Sequence, residues 1–136
     1  MIYACTYHYD KKPLLGMEYK QIWRLDDDNR FRFYAASETI DESDKKTRSY
    51  DLILDKKVAD EMRMLLTHID QVDQKDYVEK WTLILDEKEM TGPMSGGVFS
   101  QGIDVTKRLR ELIPIENIWI FNSVDREDMG MDYCME

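Results

Sequence analysis

The stretch Ser49–Leu85, SYDLILDKKVADEMRMLLTHIDQVDQKDYVEKWTLIL, carries strand and helix signals in one run. Tyr50, Leu52 and Leu54 alternate with Ser49 and Asp51, the period-two pattern of a strand with one buried face. From about Lys56 to His68 the period changes. Val58, Met62, Leu65, Ile69 and Val72 recur at spacings of four, three, four and three, which lays an apolar stripe along one side of a helix. Trp81, Leu83 and Leu85 then alternate with Lys80 and Thr82, so a second strand is predicted from about Glu79 to Leu85. The helix stripe needs a surface to bury against, and the flanking strands supply it.

Working back from this stretch, Ser37 to Thr47 is nearly all polar and is predicted to be an exposed loop. Before it, Phe31, Phe33 and Ala35 alternate with Arg30 and Arg32. Met17, Tyr19, Trp23 and Leu25 alternate with Glu18, Lys20 and Arg24, with Gln21 the one polar residue on the apolar side. Asp26-Asp27-Asp28-Asn29 joins these runs as a hairpin loop, making the two strands antiparallel neighbours. Ile2 to Tyr9 is a first, aromatic-rich strand, ended by Lys11-Lys12-Pro13. Asp55 is placed to cap the central helix with its carboxylate, while Lys56 and Lys57 in the first turn oppose the helix dipole.

Downstream, residues 92–102 hold four of the six glycines and one of the three prolines. They read as a hairpin with a short return strand centred on Val98 and Phe99, or as one long loop. Asp104 is the predicted cap of a second helix running to Ile113, stopped by Pro114. Asn117 to Phe121 reads as a last, largely buried strand or extended segment. The predicted fold is α+β: a mainly antiparallel sheet of five or six strands with two helices packed on one face. Residues 1–122 form a single domain and 123–136 an acidic, Met-containing tail expected to be partly disordered.

Composition narrows the function classes. The 136 residues include 28 acidic and 19 basic side chains, a formal charge of -9. Such a surface repels phosphate backbones, so nucleic acid and anionic membranes are not expected partners. No apolar run reaches the length of a membrane span and no basic residue opens the N-terminus, so a cytoplasmic location is expected. Cys5 and Cys134 lie at opposite ends of the chain and are read as two free thiols.

The motifs that would carry chemistry are incomplete. Asp26, Asp27 and Asp28 lack the glycine and closing glutamate of a calcium loop. His8 and His68 without paired cysteines give no zinc spacing. Ser95 precedes Gly96-Gly97 but follows Pro93-Met94, which breaks the nucleophile-elbow pattern. His68 is placed to meet the last carbonyls of its helix. The glycine-rich segment has neither the Lys-Ser or Lys-Thr pair of a P-loop nor a dinucleotide fingerprint. No catalytic residue, cofactor or metal ligand is predicted.

The expected role is therefore a non-enzymatic, immunity-like or regulatory domain that binds another protein, with a basic protein as the partner class. The candidate contacts are Asp26, Asp27, Asp28, Asp41, Glu42, Asp44 and Tyr34, joining acidic loops to an aromatic anchor. Tyr3, Tyr7, Tyr9, Tyr19 and Trp23 are placed on one sheet face, with Tyr34 and Tyr50 on the other. One alternative is a small-ligand carrier or enzyme with its pocket near residues 92–102. Another is a structural homodimer using a sheet face or edge, so that the chain is a monomer or a homodimer.

Overall fold

The computed structural model describes residues 2–7, 18–38, 45–70, 80–93 and 97–121. The elements are β1 (Ile2–Tyr7), β2 (Glu18–Leu25), β3 (Arg30–Glu38), β4 (Lys45–Ile53), α1 (Lys56–Thr67), β5 (Lys80–Leu85), β6 (Lys88–Pro93), β7 (Phe99–Ser100), β8 (Ile103–Asp104) and α2 (Val105–Leu112). The protein is α+β, with antiparallel strand pairing and two helices. β2, β3 and β4 form a meander and β5–β6 a hairpin; β1 pairs with β2 on one side and β5 on the other, in the order β4-β3-β2-β1-β5-β6. β7 and β8 form a separate two-stranded ribbon. Among the described residues, no helix is long and apolar enough to cross a membrane.

The register explains the core. Trp23 lies opposite Phe33 and Leu25 opposite Phe31, so these four side chains share one sheet face, as directly paired residues must. All four are buried, with Ala35, Trp81 and Leu83. Ala59, Met62, Leu65 and Leu66 of α1 and Val105 and Leu109 of α2 close over this face in one cluster. Burial of this kind is the main favourable contribution to folding, at about 25 cal/mol per Å² of apolar surface.

The buried side of α1 is turned slightly from the stripe read in the sequence. Met62 and Leu65 are buried, but Val58 and Ile69 are only partly so, while Ala59 and Leu66 are fully covered. Val72 lies outside the described residues. The expected side-chain cap also differs. Asp55 makes no cap hydrogen bond with its carboxylate; its backbone carbonyl accepts from the Ala59 N–H at 2.9 Å. Lys56, which opposes the dipole, is paired with Asp60 one turn on at 2.8 Å. Asp104 does cap α2, accepting from the Lys107 N–H at 3.2 Å.

Two segments are built differently from expectation. Both ends of the polar stretch from Ser37 to Thr47, five of its eleven residues, are strand rather than loop, because β3 runs to Glu38 and β4 starts at Lys45. Only residues 39–44 intervene, and they lie outside the described residues. In the glycine-rich region the return strand of the hairpin is β6, ahead of Val98 and Phe99. Phe99 and Ser100 instead pair with Asp104 and Ile103 across Gln101 and Gly102. Both loop residues have positive φ, 52° and 82°, as a two-residue type I′ turn requires.

Gly92 is needed for a different reason. A Cβ there would lie 2.3 Å from Cζ2 of the buried Trp81 ring. Gly92→Ala is expected to destabilise the protein by roughly 1 to 3 kcal/mol through overpacking. Urea unfolding of the variant would check it, and a shift within about 0.5 kcal/mol would mean that the ring yields without cost.

The segment after α2 is buried but does not form the predicted strand. Ile118, Trp119, Ile120 and Phe121 are all inside, and the rings of Phe121 and Trp81 lie 4.7 Å apart. Asn117 and Ile120 adopt positive φ, 57° and 60°, which breaks the extended path a ladder needs. Side chains satisfy the backbone where a neighbouring strand would otherwise do so. Gln21 Oε1 accepts from the Trp119 N–H at 2.7 Å, and Arg110 donates to the Ile118 carbonyl at 3.0 Å.

Candidate functional site

The β2–β3 hairpin collects three of the sequence candidates. The Asn29 N–H donates to the Asp26 carbonyl at 3.0 Å, and Asn29 takes φ of 70°, a left-handed position that Asn tolerates. This turn sets Asp26, Asp27 and Asp28 side by side, but arginines surround them. Arg24 holds the Asp26 carboxylate with two hydrogen bonds, at 2.6 and 3.3 Å, and Arg32 Nη2 lies 3.8 Å away. Hydrogen bonding from Arg24 moves the Asp26 carboxyl below its ordinary range. Arg63 of α1 donates to the Asp26 carbonyl at 2.8 Å, tying the hairpin to the helix. Asp28 accepts from the Arg30 N–H at 3.2 Å, and Asp27 is exposed. Much of the negative charge read in this loop is thus answered within the protein.

Tyr34 is not brought to that hairpin tip. It lies along β3, paired with Ile22 and Ser49, on the sheet face opposite Phe33 and half-buried. Tyr50 pairs with Phe33 and lies on the helix-covered face, so the two tyrosines do not share a side as expected. Asp41, Glu42 and Asp44 lie outside the described residues, as do His8, Tyr9, Ser95 and Cys134. Register places Tyr3 opposite Arg24 and Ala4 opposite Trp23. His68 sits exposed at the end of α1, where its Nδ1 is 2.8 Å from the Met64 carbonyl, the helix-end contact its position implies. Among the described residues, no group of three or more His, Cys, Asp or Glu could hold a metal ion.

The polar residue within the apolar row of β2 has a structural task. Gln21 is 1% exposed and donates through Nε2 to Glu18 and to the Asn117 carbonyl, both at 2.8 Å. Arg48 of β4 adds a bidentate pair to Glu18, at 2.6 and 3.0 Å. It also donates to the carbonyls of Glu116 and Asn117, at 2.8 and 3.0 Å. The Arg48 guanidinium lies 5.0 Å from the centre of the Phe33 ring, within cation–π range. Together these groups dock the chain after α2 onto the sheet. On the helix side, Arg108 of α2 pairs with Glu61 of α1 through both guanidinium arms, and this hydrogen bonding lowers the Glu61 carboxyl from its ordinary range.

Among the described residues, β4 is the longer of the two edge strands of the sheet. The Leu54 N–H donates to the Asn29 carbonyl at 2.9 Å, continuing the β3–β4 register. Alternation then turns the backbone groups of Lys46, Arg48, Tyr50 and Leu52 toward β3, and those of Lys45, Thr47, Ser49, Asp51 and Ile53 away from it. Among the described residues β4 has no strand on that outer side. Its pairing with β3 runs from Arg30–Ile53 to Glu38–Lys45 without a bulge. Lys46, Thr47, Ser49, Tyr50, Asp51 and Ile53 are exposed, Ile53 at 66% and Tyr50 at 42%. Arg30 pairs with Asp51 at 2.8 and 2.6 Å, drawing the Asp51 carboxyl down. The opposite edge, β6, has six residues and ends at Pro93, which lacks a donor. The sequence signal for β4 is the alternation of Thr47, Ser49 and Asp51 with Arg48, Tyr50 and Leu52, which the polar character of Lys45–Thr47 obscures. Comparison of the chain with protein-family models, curated proteins and solved structures returned no match.

Proposed function

We propose that the protein is a non-enzymatic protein-binding domain whose docking element is the outer edge of β4. The observation that supports this reading is a nine-residue strand whose outward N–H and C=O groups meet no neighbouring strand among the described residues. An extended segment from a partner adds to such an edge through main-chain hydrogen bonds, with alternate side chains supplying specificity. Tyr50 and Ile53, the large exposed side chains of this strand, lie on its two faces and serve as anchors. In this reading the exposed Asp27 and Asp28 of the β2–β3 turn flank the docking edge.

A photo-crosslinking residue placed at Thr47 or Asp51 tests this proposal in cells that make the protein. Adducts are expected from these two positions and not from Lys57 or Glu111, which are exposed on the helices. The captured protein, once purified, should bind the wild-type chain. It should bind Thr47→Pro at least about tenfold more weakly, because proline removes an outward donor while sparing the β3 ladder. Equal adducts at helix and edge positions, or none at the edge, would overturn the assignment.

A further inference from the structure

We infer that the segment added to β4 is the β4 strand of a second copy of this chain, joined antiparallel about a two-fold axis at Ser49. This rests on reading β4 as the docking edge. An axis perpendicular to the sheet keeps both core faces on one side, so even-numbered residues must meet even-numbered ones and odd must meet odd. Centring on Ser49 brings all nine residues, Lys45 to Ile53, into pairs. Lys45 then faces the partner's Ile53, Thr47 faces the partner's Asp51, and Ser49 faces the partner's Ser49. These are the residues whose backbone groups point outward, so main-chain hydrogen bonds form at each pair.

The intervening pairs fit as well. Lys46 meets the partner's Leu52, and Arg48 meets the partner's Tyr50. Arg48 already lies 6.0 Å from the centre of its own Tyr50 ring, so a second tyrosine adds to an existing cation–π arrangement. Thr47 presents a hydroxyl donor to the partner's Asp51 carboxylate. No like charges stand opposite one another in this register. Neighbouring registers are worse: centring on Arg48 sets two guanidinium groups face to face, centring on Asp51 does the same with two carboxylates, and centring on Tyr50 leaves Lys45 and Lys46 unpaired. The strand is therefore complementary to itself in one register. An edge-only contact belongs to the small class of interfaces, below about 1,200 Å², so the dimer forms reversibly with concentration.

Sedimentation equilibrium of the purified full chain tests the inference. The apparent mass should rise from 16.3 kDa toward twice that value with concentration. Ser49→Asp places two carboxylates at the axis and should weaken dimerisation at least about tenfold, whereas Ser49→Thr should leave it in place. Ser49 is exposed, so unchanged melting of both variants will separate lost association from lost folding. Mild oxidation of Ser49→Cys should yield, on mass mapping, two copies of the same peptide joined by a disulfide at the substituted position. A hydrogen-bonded pair of about 5.5 Å between Cα atoms falls within disulfide reach. A wild-type chain that stays monomeric to roughly millimolar concentration, far above the affinities of specific dimers, would overturn the second copy as partner. So would a dimer indifferent to Ser49→Asp. If the chain is monomeric while edge positions still crosslink to a different protein, the protein-binding reading stands and only the self-pairing fails.

Discussion

Gln21→Leu is expected to lower the unfolding free energy by about 2 to 4 kcal/mol. Leucine is nearly isosteric and more apolar, so burial alone predicts a neutral or favourable change. Hydrogen bonding predicts the reverse. The substitution leaves the buried Trp119 N–H without the Oε1 acceptor it now has at 2.7 Å, and removes one of the donors to the Asn117 carbonyl. An unsatisfied buried donor costs about 1 to 3 kcal/mol by itself. Urea unfolding followed by tryptophan fluorescence would measure the loss, and a change under about 0.5 kcal/mol would show that the segment is held by its apolar side chains alone. Gln21→Glu sharpens the test. It keeps an acceptor for Trp119 but sets a second carboxylate beside Glu18. Its folded-state pKa must then lie above the unfolded value, so the penalty should be largest at neutral pH and shrink as pH falls and the new carboxyl protonates.

Leu65→Ala is expected to cost roughly 2 to 5 kcal/mol, the range for truncating a buried leucine where the surrounding packing only partly collapses. Leu65 is 1% exposed and sits where α1 meets the sheet face and α2. Leu66→Ala should fall in the same range, although Leu66 lies off the stripe traced by spacing. Met64→Ala on the exposed side, at 44% exposure, should shift stability by no more than about 0.5 kcal/mol. Thermal or urea unfolding of the three variants would decide it. If Leu66→Ala proved as mild as Met64→Ala, the rotation of α1 described above would be wrong.

Local pattern alone determined the class of this protein, α+β with two helices and antiparallel strands. It also located α1, α2, β2, β3 and β5 to within a few residues. The physical reason is that hydrophobic period is a local property: a strand with one buried face alternates and a helix on a sheet repeats every three to four residues. The Asp26–Asn29 turn is legible for the same reason, since its residue types match its backbone demands. Of the candidate contacts, residue type identifies the acidic hairpin, but it gives no sign that Arg24, Arg32 and Arg63 converge on Asp26 from two strands and a helix.

Tertiary structure decided the rest. Gln21 looks like a defect in an apolar row, and only the return of residues 117–119, nearly a hundred positions later in the chain, makes it an acceptor for one backbone group and a donor to another. Asn117–Phe121 has the composition of a strand, but side chains from β2, β4 and α2 satisfy its backbone and two left-handed residues bend it, so it packs as a buried turn. Lys45–Thr47 reads as a loop because charged residues are unusual in a central strand. Such residues are admissible in β4 because, among the described residues, the strand has no neighbour on its outer side, and the side chains of Lys46 and Thr47 stay exposed. Strand order, which makes β4 an edge, depends on contacts between residues far apart in the chain and so is not written in any local window.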